Sequence, residues 1–174
     1  MVINKNQRVG VFVDVQNMYH SAKHLYNANV NFKHVLIDSV NGRQLIRALA
    51  YVVASESPEE EAFFEALESQ GFEVRSKGLQ VFASGQKKAD WDVGMAVDAI
   101  KLADRLDTVV LVSGDGDFVP LVRYLQENKG CFVELMSFKE STSSALIQEV
   151  DAYVDLSAGA SRYLLTKSSR RKSE

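Results

Sequence analysis

Cysteine is almost absent from this chain, and long apolar runs are missing altogether. Cys131 is the only cysteine. It stands in an apolar run, where it reads as a small buried hydrophobe, which argues against disulfides, a thiolate metal site and a cysteine nucleophile with an obvious partner. No stretch approaches the roughly 20 apolar residues needed to span a bilayer. The opening residues, Met1 to Arg8, lack the charged, apolar, small-residue order of a signal peptide. Charge of one sign is lacking too. The net charge of −3 gives no global attraction to nucleic acid or to an acidic membrane, so a nucleic-acid ligand would need a local basic patch or metal ions. These absences predict a cytoplasmic protein with no membrane partner.

Three catalytic signatures are also missing. There is no Gly-x-Ser-x-Gly elbow, no Gly-x-x-x-x-Gly-Lys-Ser/Thr phosphate loop and no His-Glu-x-x-His pair. His20 and His24 have an i,i+4 spacing that can bind zinc, but no third ligand is near them. With His34 they read as exposed structural histidines.

What remains is an ordinary globular composition, 46% hydrophobic and 25% charged over 174 residues, enough for one domain with a substantial core. Apolar strand-like runs alternate with helical segments almost throughout. Val9 to Val13 and Val109 to Val112 are apolar on both faces, as central parallel strands are. Further strands are expected over 45–54, 72–75, 79–83, 131–135 and 153–156. Helices are expected over 18–26, 32–37, 58–70, 90–105, 118–128 and 143–150. Pro58 and Pro120 both stand at helix starts. This βαβα order predicts an α/β fold: three layers, with a mostly parallel central sheet and right-handed crossovers, in a single domain over 1–160. Residues 161–174 turn to Ser, Lys and Arg and read as a disordered basic tail.

The acids at the strand ends carry the chemistry. Val112-Ser113-Gly114-Asp115-Gly116-Asp117-Phe118 puts two carboxylates in the turn between a buried strand and a helix, where ligands bind in open α/β sheets. Asp14 holds the same position on the first strand. At about 100° per residue, Asp92 aligns with Ala96, Ala99 and Ala103 and lies beside Val93 and Ile100, on the face expected to meet the sheet. A carboxylate there needs a partner. Neighbouring anions repel, and a divalent cation removes that cost; Mg²⁺ or Mn²⁺ takes oxygen ligands and keeps several waters. Asp90, Asp98 and Asp104 read as polar-face residues. The bland alternatives are capping for Asp14 and Asp117, and a helix-dipole role for Asp92. Around the acids, Asn17 reads either as satisfying helix-start backbone or as hydrogen-bonding Asp14 and a substrate. Ser113 either steadies Asp115 or donates to a phosphate, and Lys87 and Lys88 could neutralise phosphate. Phe12, Phe82, Trp91, Phe118 and Phe138 are available for base stacking, with core packing the commoner use.

Three blocks together resemble the NYN-domain family, the LabA-like branch of the PIN-like nucleases. Val11-Phe12-Val13-Asp14-Val15-Gln16-Asn17 resembles its first strand ending in Asp-x-x-Asn. The segment Lys87 to Asp98 resembles its Lys-Gly-x-Asp helix start, with Ala89-Asp90-Trp91 departing from the glycine-containing approach. Ser113-Gly114-Asp115-Gly116-Asp117-Phe118 resembles its Ser-Gly-Asp-x-Asp-Phe turn. The likeness implies a PIN-like fold and an Mg²⁺- or Mn²⁺-dependent ribonuclease. Asp14, Asp92, Asp115 and Asp117 would be its catalytic and metal-binding residues. Asn17, Lys88 (alternatively Lys87) and Ser113 would bind RNA, the implied partner, and a homodimer is left open. The rival reading is a non-catalytic RNA- or protein-binding regulatory module. A Toprim-like enzyme would want a glutamate where this chain has Asp14.

Overall fold

The computed structural model describes residues 4–165, apart from 56, 79, 82, 84–86 and 89. The elements follow the expected alternation. First come β1 (Arg8–Asp14), α1 (Val15–Tyr26), β2 (Asn29–Val30), α2 (Phe32–Val40), β3 (Gln44–Ala54) and α3 (Pro58–Ser69). The short strands β5 (Gln80–Val81) and β6 (Lys87–Lys88) follow β4 (Glu73–Gly78). Then come α4 (Asp92–Ala103), β7 (Thr108–Val112), α5 (Val119–Lys129), β8 (Phe132–Ser137), α6 (Ser144–Glu149), β9 (Ala152–Asp155), α7 (Ala160–Tyr163) and β10 (Leu164–Leu165).

Six strands form one sheet in the order β4-β3-β1-β7-β8-β9, and every neighbouring pair is parallel. From β1 the chain builds outward to β3 and β4 on one side, then crosses back to lay β7, β8 and β9 on the other. The strand order therefore reverses between β1 and β7, and the carboxyl ends of those two strands open the crevice where such sheets bind ligands. Asp14 ends one of them and Ser113 follows the other.

Alternation along β1 divides the core in two. Val9, Val11 and Val13 pack with Met18, Val35 and Leu67 on one face, while Phe12 packs with Met95, Leu111, Leu125 and Leu135 on the other. Every residue of β7 is buried, as a central parallel strand requires. One ion pair is built into this frame: the Arg43 guanidinium, its side chain 1% exposed, donates to both oxygens of Glu134 at 2.8 and 2.9 Å.

Several expectations need correcting. Helix α1 begins at Val15 because Asp14 caps it directly, leaving no intervening turn. Val93 is exposed; the buried stripe of α4 is Met95, Ala99 and Ala103, with Asp92 leading it at the same spacing. Disorder expected from 161 does not hold for 161–165. Tyr163 is buried, its hydroxyl donates to Asp38 at 2.7 Å, and β10 pairs with β2, so residues 160–165 belong to the fold. Residues 166–174 lie outside the described set. Phe12, Phe118 and Phe138 are core residues, and Phe82 lies outside the described set. Among the described residues no helix is long and apolar enough to cross a membrane.

Candidate metal centre

The site begins with a hydrogen-bonded brace between the two central strand ends. The fully buried Ser113 hydroxyl donates to Asp14 Oδ2 at 3.1 Å and accepts from the Asp115 backbone N–H at 3.2 Å. Asn17, one turn into α1, donates its backbone N–H to Asp14 Oδ1 at 3.1 Å. Its side-chain oxygen accepts from the Gly114 N–H at 2.9 Å. Asp14, Asn17, Ser113 and Gly114 thus lock β1 to β7 across the switch point. Gly114 permits the close packing behind this turn: a Cβ there would stand 2.5 Å from the Ser141 carbonyl oxygen. Asp115 caps the short 3-10 turn that follows, its Oδ1 accepting from the Asp117 N–H at 2.9 Å.

Asp92 arrives from the other side, on the first residue of α4. One carboxylate oxygen each from Asp92, Asp115 and Asp117 lies within 4.8 Å of the other two. Asp14 lines the same cleft, about 230 Å³, but stands outside that trio, and both of its oxygens are engaged by the brace. Burial, then the charges of Asp115 and Asp14, push the Asp92 carboxyl up to about 6. The Asp14 carboxyl is raised as well, chiefly by desolvation and against its two hydrogen bonds. Both shifts report burial first, with unbalanced negative charge from the neighbouring acids adding to it. Oxygen-only donors at this spacing suit a hard divalent cation, so the residues fit Mg²⁺ or Mn²⁺.

A clamp from β3 fixes where α4 starts. The Trp91 indole N–H donates to the Val52 carbonyl at 2.8 Å, and the Tyr51 hydroxyl donates to Asp98 Oδ2 at 2.8 Å. Burial and the Asp98 carboxylate hold the Tyr51 phenol well above its ordinary range, so it stays a donor. The two rings meet edge to face at 5.7 Å, and a Cβ on Gly94 would stand 2.4 Å from Trp91 Cε3. Trp91 is therefore packed in place, and stacking on a base does not fit it.

The structure brings Asp92, Asp115 and Asp117 together and sets Asp14 and Asn17 beside them. The substrate-binding role expected of Ser113 does not fit, because its hydroxyl is buried and its proton is committed to Asp14. The side chains of Lys87 and Lys88 lie outside the described residues. Tyr51, His20, Gln16 and Asp90 line the cleft without having been expected there. Tyr51 pairs in register with Asp14, so it stands level with the carboxyl end of β1, a placement that only the strand pairing gives. Asp98, expected mainly as a polar-face residue, accepts from the Tyr51 hydroxyl.

Comparison with known proteins agrees with this architecture. The chain is 27% identical over 157 residues to the low amplitude and bright protein LabA of Synechococcus elongatus, covering 86% of this chain and 83% of that protein. A crystal structure of a Vibrio parahaemolyticus protein of unknown function superposes with a TM-score of 0.86 at 33% identity, covering 95% of this chain and all of that one. The NYN domain model matches residues 8–157, and the chain belongs to the NYN domain family.

Proposed function

We infer that this protein is a divalent-metal-dependent ribonuclease, with Asp92, Asp115 and Asp117 holding Mg²⁺ or Mn²⁺. The observation that carries the reading is the convergence of those three carboxylates at the β1/β7 switch point of an NYN fold. Bound there, a divalent ion supplies charge neutralisation of the phosphodiester and acidification of a water. The protein's part is positional. Asp115 comes from the β7 turn and Asp92 from the start of α4, so they reach the trio from two rigid elements. Each Asp14 oxygen has a lone pair beyond its one brace bond, with which the carboxylate would accept a proton from water or hold a nucleophile by hydrogen bonding. The Asn17 amide oxygen is fixed on Gly114, which leaves its NH₂ as a donor toward a phosphate oxygen. RNA as substrate rests on the family, and cytoplasmic action fits the lone, buried Cys131.

The test is purified protein with labelled single-stranded and hairpin RNA in Mg²⁺, Mn²⁺ or EDTA, with Asp115→Asn alongside. Cleavage that needs metal and falls at least about a hundredfold in the variant supports the reading. RNA binding without turnover in any metal overturns it in favour of a non-catalytic module.

A further inference from the structure

Strand β4 is an edge of the main sheet, and it carries Arg75 and Lys77 two residues apart. In the β3–β4 register Arg75 pairs with Tyr51 and Lys77 with Val53. Tyr51 belongs to the core face beneath α4, so both cations rise on that same face, beside two residues that line the acidic cleft. Arg75 is exposed, and its charge is close enough to lower the Tyr51 phenol against the other influences on it. Lys77 is drawn further in. Its ammonium lies 5.6 Å from the Trp91 ring centroid and donates to the Asp90 carbonyl at 3.3 Å; Trp91 and Asp90 are themselves part of the cleft wall. The neighbouring cation on β3, Arg47, is taken up by Glu73.

The cleft floor is negative and this lip is positive. Lysines on an edge strand often serve only to block edge-to-edge pairing. That accounts for Arg75 on an exposed edge; it does not account for an ammonium held over an aromatic ring at the rim of the candidate metal site. A ligand matching the layout has one anionic group for the metal and further anions at a regular interval outside it. Side chains at i and i+2 on a strand are about 6.6 Å apart, comparable with successive phosphates along an extended strand. With Lys77 over the Trp91 ring and the indole N–H committed to Val52, the two cations offer contact to backbone phosphate.

We propose that Arg75 and Lys77 form a phosphate track on the β4 edge that holds the backbone of single-stranded RNA leading into the acidic cleft. The track rests on the ribonuclease reading for its substrate and adds a sequence-independent, salt-sensitive binding surface to it. The test is fluorescence anisotropy with a labelled single-stranded RNA in EDTA over a series of KCl concentrations. The proteins are wild type, Arg75→Gln/Lys77→Gln, Lys77→Arg, and Lys33→Gln as a single-charge control on α2. Each phosphate contact is worth about 0.7 in the slope of log affinity against log salt for a single strand. The double variant is expected to be shallower by roughly 1.4 and to bind tens of times more weakly at 50 mM salt, by that same relation. Lys77→Arg and Lys33→Gln are expected to keep the wild-type slope.

Equal slopes for the wild type and a folded double variant overturn the proposal, as does an Arg replacement that behaves like the double variant. The two readings fail separately. A wild type that binds through this edge but never cleaves leaves the track standing and removes the nuclease. A wild type that cleaves with metal while the double variant binds normally does the reverse.

Discussion

Ser113 Oγ lies 3.1 Å from Asp14 Oδ2, so a single buried hydroxyl ties the carboxyl end of one central strand to the turn after its neighbour. The same oxygen accepts the Asp115 N–H, and one atom thereby sets the positions of two acids. Removing it with Ser113→Ala leaves a part-buried N–H without its partner and takes a donor from a part-buried carboxylate. The expected loss is about 1–3 kcal/mol in urea unfolding monitored by circular dichroism. Divalent affinity, read by calorimetry with Mn²⁺, is expected to fall by roughly tenfold, the scale seen when a supporting hydrogen bond to a metal ligand is removed. Ser113→Thr, which keeps the hydroxyl, separates lost bonding from lost volume: partial rescue of Mn²⁺ affinity is expected.

The pH response of the metal-free protein follows from Asp92. Its carboxyl titrates near 6 in the fold, against an ordinary value of 3.8, so the folded state binds more protons than the unfolded chain between those limits. Stability from this group is then fully present below about 4 and declines as pH rises through 6. Asp14 acts in the same sense. Asp38, Glu73 and Asp107 are held low by arginine partners and act oppositely, mostly at lower pH. Subtraction isolates the term. Asp92→Asn is expected to raise the metal-free Tm at pH 7 relative to wild type, with the advantage vanishing by pH 4. Mn²⁺ should stabilise the wild type at pH 7 and lose its effect on acidification through 6. A variant with a lower Tm than wild type at pH 7 would contradict the assignment of strain to this carboxylate.

The strand ends were legible because a parallel strand buried on both faces leaves an unbroken apolar run, and such a run locates its own carboxyl terminus. Asp14 and Asp115 could be placed at one sheet edge on that ground alone, and Asp92 by helical spacing. What was not legible needed pairing between distant segments. Asp98 looked solvated because its partner, Tyr51, is 47 residues away on β3. Trp91 looked available for bases because nothing local says that Val52 accepts its N–H. Residues 161–165 looked like tail because they run into a Ser-, Lys- and Arg-rich stretch, and no local signal gives the burial of Tyr163 or the antiparallel pairing with β2. Lys77 gave no local signal; only the β3–β4 register places it beside the cleft.

Away from the site, the Arg43–Glu134 pair gives a stability test of the frame alone. Arg43 also donates to the Val40 and Ser39 carbonyls at 3.1 and 2.8 Å, so its charge is well partnered only while Glu134 is present. Glu134→Ala leaves that guanidinium buried without its counter-ion, which costs about 3–5 kcal/mol. Replacing both residues together, with Arg43→Met and Glu134→Leu, should recover most of the loss, because a buried pair and a packed apolar pair are similar in net worth. Thermal unfolding of the two variants decides it, and Mn²⁺ affinity at 20 °C should be unchanged in both.

Gly94 offers the sharpest separation of helix stability from site geometry. In an exposed helix, Gly→Ala adds about 1 kcal/mol of stability. Here the new Cβ would lie 2.4 and 2.6 Å from two Trp91 ring carbons, and neither the ring nor the helix can move freely. The indole is tied to Val52 and packed on Tyr51, so it shifts only by weakening the clamp that sets the start of α4. Overpacking of this kind costs typically 1–3 kcal/mol, which exceeds the propensity gain. Gly94→Ala is therefore expected to lose about 1 kcal/mol net, with a red-shifted Trp91 emission and weaker Mn²⁺ binding through Asp92. Trp91→Ala in the Gly94→Ala background removes the obstacle. If the clash is the cause, alanine at 94 becomes stabilising there, and the sign of its effect reverses between the two backgrounds. The same sign in both backgrounds would place the role of Gly94 elsewhere.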